Sequence, residues 1–463
     1  MSTPLPVAIA LSRGAGALSR SFGGGATSVP GQLLRRLRAS SLRELAAELS
    51  AGCVLVSATN GKTSTATMAA EMLRRAGVQL VHNSAGANMP SGIASALLAA
   101  STLGGVVRGE IGLFEVDEAW LPLLAAEVHP RVILLGNLFR DQLDRYGELE
   151  LILQRWAQTV GGAGAAAGAQ LVLNADDPAV ADLGGGRDRV IWFGLEDDQA
   201  ALGTMAHAAD AKHCRSCGAP YRFSRVYLGH LGIYSCPSCG HERPTPHVLA
   251  RNIELQGVRS ASFDLHLPQA SARVRLPLPG LYNVYNAVGS AALAYALEVP
   301  FESILEALQQ VKPAFGRGEA VEVDGGELRI LLIKNPAGAN EVLRTLELED
   351  GELHLLCILN DRVADGRDVS WIWDADFERL ADRLASVVCA GSRAPEIALR
   401  LKYAGVEGAR ISLAASLQEG LQAAIQRADG DARKPVYALP TYTAMLELRA
   451  LLVKRGDAKG SFS

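Results

Sequence analysis

The sequence predicts an α/β protein: a central domain with a mostly parallel sheet around a phosphate loop (P-loop), an inserted four-cysteine ribbon, and a second, smaller α/β domain at the C-terminal side. Three observations carry this. From Cys53 onward, short apolar strands alternate with helical-length stretches rich in Ala and Leu, the pattern of a parallel sheet covered on both faces. Between about 205 and 245 that periodicity vanishes and two Cys-x-x-Cys pairs appear. After a turn-rich joint at Lys312 to Gly318 the alternation resumes.

Size and composition agree. A chain of 463 residues corresponds to two or three domains at roughly 150 residues each. Hydrophobic residues are 49%, charged residues 20%, and 45 Lys+Arg against 49 Asp+Glu leave a net charge of −4, which excludes disorder, collagen and a polycationic nucleic-acid binder. No window holds about 18 consecutive strongly apolar residues, so no membrane span is expected. The apolar patch near the N-terminus has no basic residue ahead of it, as a secretory signal would need. Seven cysteines are too few for a disulfide scaffold, and a reducing cytoplasm fits best.

Taken in order, residues 1–49 read as a lead-in segment with one amphipathic helix from Leu33 to Leu49. The central domain is expected over 50–315. It begins with the strand CVLVSA, a Gly-containing turn, a helix (ATMAAEMLRRAG) and a strand at Val78 to His82, a βαβ unit. Strands follow at Ile111 to Val116, Arg131 to Leu135, Gln170 to Leu173 and Val190 to Trp192. The alternating stretches SASFDLHL and ARVRLPL suit antiparallel strands, and Asn283 to Leu297 reads as a helix. The second domain, 316–463, has strands at Leu328 to Ile333, Leu353 to Leu359, Ser386 to Cys389 and Val436 to Leu439, with helices at 376–384, 394–403 and 416–427.

The chemistry starts at VLVSATNGKTST, a strand running into a Gly-Lys-Thr turn and a helix. Backbone N–H groups of such a turn and the helix N-terminus point at phosphates, so Thr59, Asn60, Gly61, Lys62, Thr63 and Ser64 are candidate nucleotide contacts. Lys62 supplies charge and the Thr63 hydroxyl can ligate Mg²⁺. Val56 stands where the full Walker spacing has its first Gly. FEVDE ends a strand with carboxylates, where α/β sheets place their ligand crevice, and makes Glu115 a candidate second Mg²⁺ ligand. GNLFRDQLDRYGE follows another strand with Asn137, Asp141 and Asp144, the two acids on roughly one helix face.

Cys214-Arg-Ser-Cys217 and Cys236-Pro-Ser-Cys239 are separated by 18 residues, a spacing for a structural zinc site closed by four thiolates, with His213 and His241 as bystanders. Lys212, Arg215, Arg222, Arg225 and Arg243 against Glu242 make a modest basic bias around the ribbon, and the overall negative charge argues against a nucleic-acid partner. Cys53, Cys357 and Cys389 lie in apolar strands, where a thiol is inert. LNDRVADGRDVSWIWDADFE interleaves Asp361, Asp365, Asp368, Asp374 and Asp376 with Trp371 and Trp373, a composition that suits a surface meeting something.

In this order, TNGKTST, FEVDE, NLFRDQLDRYG, NADDP (174–178) and LYNVYNAVGSAALA resemble the Mur ligase family, ATP-dependent enzymes that join amino groups to carboxylates. The resemblance implies a Mur-ligase-type central domain, phosphate and Mg²⁺ on Lys62 and Thr63, a metal ligand at Glu115, an adenine contact at Asn283 and a nucleotide-reaching Arg317. Tyr282 stands where members have a His, and KNPAGANE (334–341) where amino-acid-adding members have a His-Asn-Pro segment and their amino-acid pocket, so an amino-acid second substrate is not implied.

The ribbon followed by KNPAGANE and DGRDVSWIWDADFE is similar to the MurT branch of that family, synthetase subunits of lipid II isoglutaminyl synthase. This implies amidation of the D-glutamate α-carboxylate of the lipid II stem peptide through an acyl phosphate. It also implies ammonia from a GatD-like glutamine amidotransferase partner, whose catalytic triad Asp368 would complete. Membrane contact would come only through the lipid-linked substrate. The alternative is an amino-acid-adding ligase of the folylpolyglutamate type.

Overall fold

The structure, a computed structural model, describes residues 3–21, 28–83, 86–141, 149–203, 210–312, 317–429 and 434–458. Two sheets organise it. The larger is nine-stranded and is built from β1 (Cys53–Ser57), β2 (Leu80–His82), β3 (Ile111–Glu115), β4 (Val132–Leu135), β5 (Gln170–Asn174) and β6 (Val190–Leu195), which are parallel, together with strands from beyond the cysteine ribbon. The ribbon contributes its own hairpin, β7 (Arg222–Leu228) and β8 (Leu231–Ser235). The chain then rejoins the sheet with β9 (Val248–Gln256), parallel to β6, and adds β10 (Ser260–Leu267) and β11 (Ala270–Leu276) antiparallel at the edge. The spatial order is β11-β10-β9-β6-β5-β4-β1-β3-β2.

All five residues of β1 and of β3 are buried, as are all four of β4, which is why these strands read as continuous apolar runs. One core packs the Lys62–Arg75 and Leu281–Ala296 helices on one face, with Met68, Met72, Val288 and Ala292 buried. The other face is covered by Leu34, Leu42, Leu45, Ile93 and Trp156, among others.

The N-terminal segment is more structured than its sequence suggests. Where one helix over Leu33 to Leu49 is expected, the chain forms Leu5–Ser21, Val29–Leu37 and Ser41–Ala47. Ala8, Ile9, Leu34, Leu42 and Leu45 are fully buried in the second core, so tertiary packing outweighs the low helix propensity of Gly14 and Gly16.

The second sheet contains β12 (Arg317–Val323), β13 (Gly326–Leu331), β14 (Leu353–Ile358), β15 (Leu384–Ala390), β16 (Ile411–Leu413) and β17 (Val436–Pro440) in the order β12-β13-β17-β14-β15-β16, parallel except for β12. The fold class is therefore as the sequence predicts. Two helices here have no counterpart in the sequence reading, Pro336–Glu347 and Tyr442–Arg455. The expected helix over 376–384 is a 3₁₀ segment, Phe377–Arg383. No helix among the described residues is long and apolar enough to cross a membrane.

Candidate functional site

β1 lies between β3 and β4, so the carboxyl ends of three parallel strands open onto one crevice. The loop after β1 turns through Gly61 at φ 87°, where a Cβ would lie 1.9 Å from Asn286 Oδ1; only glycine fits. The loop is clamped from β4. Asn60 N donates to Asn137 Oδ1 and Asn137 Nδ2 donates to Asn60 O, both at 2.9 Å, while Phe139 N donates to Thr59 Oγ1 at 3.0 Å.

Lys62 opens the following helix and is buried, with Nζ 2.7 Å from Glu118 Oε2 and a further hydrogen bond to Ala58 O. Burial works against the Lys62 charge, but Glu118, then Asp117 and Glu115, outweigh it and hold its pKa above the ordinary value. Burial likewise opposes ionisation of Glu118, and Lys62 with Lys334 outweighs it, so that carboxyl sits below its usual range. Thr63 Oγ1 donates to Glu115 Oε1 at 3.0 Å. Glu115 is fixed in turn by Asn83, whose Oδ1 accepts from Glu115 N at 2.9 Å and whose Nδ2 donates to Glu115 O at 2.8 Å. A hydroxyl and a buried carboxylate facing each other, with Asp117 and Glu118 beside them, form a hard-oxygen set that fits Mg²⁺.

The second sheet closes the other side. Lys334 Nζ donates to Thr59 O at 3.0 Å and pairs with Asp141 Oδ2 at 2.6 Å. Asn335 and Asn60 exchange amide hydrogen bonds at 3.0 and 3.3 Å. Between the two sides lies a cavity of about 360 Å³. The loop from Thr59 to Ser64 lines it, as do Tyr282, Tyr285, Leu228 and Leu231.

The structure thus brings Thr59 through Ser64 and Glu115 to one cavity. Asn283 is placed differently. It is buried, with Nδ2 donating to Pro279 O at 2.8 Å and Oδ1 accepting from Asn286 Nδ2 at 3.2 Å. The cavity is lined by Tyr282, Tyr285 and Asn286 of the same helix. Arg317 opens β12 opposite Leu331, and its side chain lies outside the described residues. Asp144 also lies outside them, while Asp141 is described in a non-helical stretch.

Sequence reasoning missed Glu118, Lys334, Asn286 and the ribbon tip. Glu118 stood in FEVDE, three residues past the chosen acid, and Asn286 one turn past Asn283. Lys334 heads the KNPAGANE segment, but its contacts carried no signal, because its partners come from the other sheet.

In the ribbon, Cys214 and Cys239 Sγ are 3.6 Å apart and Cys217 and Cys236 Sγ 3.5 Å, and all four sulfurs lie within 4.8 Å of one another. Zinc at about 2.3 Å from each tetrahedral sulfur spaces them by about 3.8 Å, so the four thiols fit Zn²⁺ and are too far apart for disulfides. His241 bonds Tyr221 and Asp182. The turn joining β7 to β8 carries Leu228 and Leu231 into the cavity wall and packs Gly229 on Phe139.

Asp368 lies apart, exposed on the loop before Ser370–Asp374. Its Oδ1 accepts from Ser370 N at 2.8 Å, and this bond keeps the carboxyl below its ordinary pKa. Nearby, Trp373 and Tyr403 are 49% and 72% exposed, with ring centroids 5.7 Å apart. Cys53, Cys357 and Cys389 are buried, and burial pushes Cys53 and Cys389 to about 12 and Cys357 well above its usual value.

Comparisons with known proteins agree across both sheets. Residues 56–231 match the Mur ligase middle domain and residues 332–445 the family described as MurT ligase C-terminal. The chain is 33% identical over 406 residues to the lipid II isoglutaminyl synthase (glutamine-hydrolyzing) subunit MurT of Staphylococcus aureus, covering 86% of this chain and 88% of that protein. It is 31% identical over 434 residues to the subunit of the same name from Streptococcus pneumoniae, covering 93% of each. Among solved structures, a pseudomurein peptide ligase type C from Methanothermus fervidus shares the fold with a TM-score of 0.64 at 21% identity, covering 88% of this chain and 79% of that one. The MurF ligase from Thermotoga maritima in complex with ADP gives 0.59 at 15% identity, covering 93% and 85%.

Proposed function

The chain belongs to the Mur ligase family, in its MurT group, and from that premise we propose that it is the synthetase subunit of a lipid II isoglutaminyl synthase, amidating the D-glutamate α-carboxylate of the stem peptide in the cytoplasm. The observation that carries this reading is the meeting, in one cavity, of the phosphate loop with Glu115 and, from the second sheet, Lys334. The working parts are residues 50–315 for the nucleotide, with the ribbon at 205–245, and 316–463 for the second substrate and partner, while 1–49 supports the first sheet.

ATP occupies the cavity with its phosphates on the N–H groups of Gly61 to Ser64. Thr63 and Glu115 would hold Mg²⁺, which when bound would neutralise phosphate charge. A stem-peptide carboxylate oxygen attacks the γ-phosphorus as the bond to ADP breaks. Ammonia then attacks the acyl carbon, inorganic phosphate leaves and the nitrogen gives up a proton. Lys62 is the residue that meets charge gathering on the transferred group, and Glu118 holds it in place until then. Lys334 pins the second sheet over the loop, which helps exclude water from the acyl phosphate. Arg317, which opens β12, is the further nucleotide contact that the family resemblance implies, and Asn283, which accepts from Asn286 Nδ2, would orient Asn286 toward the nucleotide. Cys214, Cys217, Cys236 and Cys239 would hold Zn²⁺, which when bound would tie the two Cys-x-x-Cys turns of the ribbon together.

The nitrogen comes from a GatD-like glutaminase. All seven cysteines are either gathered in the ribbon or buried, so the glutamine-attacking thiol is supplied by another chain. Asp368, ionised and exposed on the loop before Ser370–Asp374, is suited to orient the partner's histidine. A stem peptide labelled with ¹⁸O in the α-carboxylate tests the route: the acyl phosphate mechanism delivers one label to the released phosphate. Amide formed with unlabelled phosphate would remove it.

A further inference from the structure

One carboxylate in the cavity is only weakly partnered. The Pro336–Glu347 helix lines the cavity with Ala337, Gly338, Glu341 and Val342. Glu341 is 5% exposed, and the partner of its carboxylate among the described residues is a long ion pair. The nearest cation is Arg344, one turn on, with Nη1 4.0 Å from Glu341 Oε1. That guanidinium is already committed, donating to Tyr227 O at 2.9 Å and Ala200 O at 2.7 Å. Arg379, on the adjoining 3₁₀ segment, pairs with Glu347 at 2.6 Å. Burial lifts the Glu341 carboxyl to about 7 in spite of the pull of Arg344 and Arg379. Buried polar groups are as a rule hydrogen-bonded, and a carboxylate held only by a 4.0 Å ion pair is costly, so an acceptor kept in a cavity wall is waiting for a donor that enters.

Its place along the cavity selects the donor. Three residues earlier on the helix, Gly338 faces the phosphate loop, a Cβ there lying 4.0 Å from Asn60 Oδ1. Three residues later, Arg344 is bonded to Tyr227, next to the ribbon tip. Glu341 therefore sits between the phosphate loop and the ribbon tip, in a cavity also lined by Leu228, Leu231, Tyr282 and Tyr285, whose apolar and aromatic faces suit a flat heterocycle. A nucleotide spanning that distance presents neutral donors there, the ribose hydroxyls and the exocyclic amine of the base.

We propose that Glu341 reads the nucleoside: its carboxylate accepts hydrogen bonds from the ribose hydroxyls or the base amino group of the nucleotide in the cavity, an inference that rests on the ATP reading above. The residue thereby sets nucleotide specificity, because an analogue lacking the donor leaves a buried charge unpaired.

Calorimetric titration of the full chain and of Glu341→Gln with ATP, 2′-deoxy-ATP and inosine triphosphate, each with Mg²⁺, tests it. The wild type should prefer ATP to one of the analogues by roughly tenfold or more, and Glu341→Gln should weaken ATP by about as much while binding that analogue unchanged. Loss of preference against 2′-deoxy-ATP identifies the ribose as donor; loss against inosine triphosphate identifies the amine. The ligand-free Gln variant should melt at or above the wild type at pH 8, which a residue kept only for the fold would not do. Glu341→Asp, which withdraws the charge from the cavity, should lose the same preference. Equal ATP binding by wild type and Glu341→Gln, a uniform weakening of all three nucleotides, or a raised KM for ammonium with ATP affinity intact would each overturn the inference. A wild type that binds none of the three would instead overturn the ATP reading itself.

Discussion

The Thr63 hydroxyl donates to a Glu115 carboxylate oxygen at 3.0 Å, joining the first turn of the phosphate-loop helix to the end of the neighbouring parallel strand. Both oxygens are of the kind Mg²⁺ takes, and each is held by its own element. Glu115→Gln should therefore leave the fold in place and raise the Mg²⁺ needed for half-maximal turnover by on the order of 10- to 100-fold. A magnesium titration checks it, and an unchanged requirement would take Glu115 out of the metal site.

Lys62 and Glu118 form a buried pair at 2.7 Å, each side chain 10% exposed. Removing one member leaves the other charge buried and uncompensated, so Lys62→Ala should lose about 3 kcal/mol of stability as well as turnover. Adding Glu118→Gln should restore the stability and not the turnover. Recovery of both would reduce Lys62 to a structural role.

The pairing of Thr63 with Glu115 was legible in the sequence, because a Gly-Lys-Thr turn and an acid at the end of a nearby strand fall at the same edge of any parallel sheet. Lys334 with Thr59 was not: the contact spans 275 residues and depends on how two sheets dock, which no periodicity encodes. Asn283 was named from the resemblance alone; that Asn286 also lines the cavity depends on which face of one helix meets it, and the amide of Asn283 is taken by Pro279 O. The helix over Leu5–Ser21 was hidden by its glycines, although Ala8 and Ile9 are fully buried.

The ribbon carries its own test. Leu228 and Leu231 at its tip line the cavity, so loss of metal should reach the nucleotide. Cys239→Ser should abolish zinc retention measured by elemental analysis, lower the melting temperature, and weaken ATP binding. ATP affinity unchanged in the zinc-free protein would confine the ribbon to a folding staple.

Asp368 is exposed and far along the chain from the phosphate loop. Asp368→Asn should suppress glutamine-supported amidation in the presence of the partner and spare the ammonium-supported reaction. Equal loss with both nitrogen sources would move Asp368 into the synthetase chemistry or the fold.

Glu341 gives a pH signature. Its folded pKa, about 7, is raised above the ordinary 4.5, so its contribution to stability is full below 4.5 and is lost as the pH rises through 7. The difference corresponds to about 3 kcal/mol. Denaturant titrations should show Glu341→Gln gaining stability over the wild type at pH 8 and none at pH 4.5. The same difference at both values would show that folding does not raise the Glu341 pKa.

The most direct measurement is the product mass of the lipid II stem peptide after incubation with the purified chain, ATP, Mg²⁺ and ammonium chloride, and separately with free amino acids in place of ammonium. Exchange of one carboxylate oxygen for NH with ammonium, and no residue added with amino acids, is the predicted result. A peptide lengthened by one amino acid would contradict the amidation account and place the chain with the amino-acid-adding ligases.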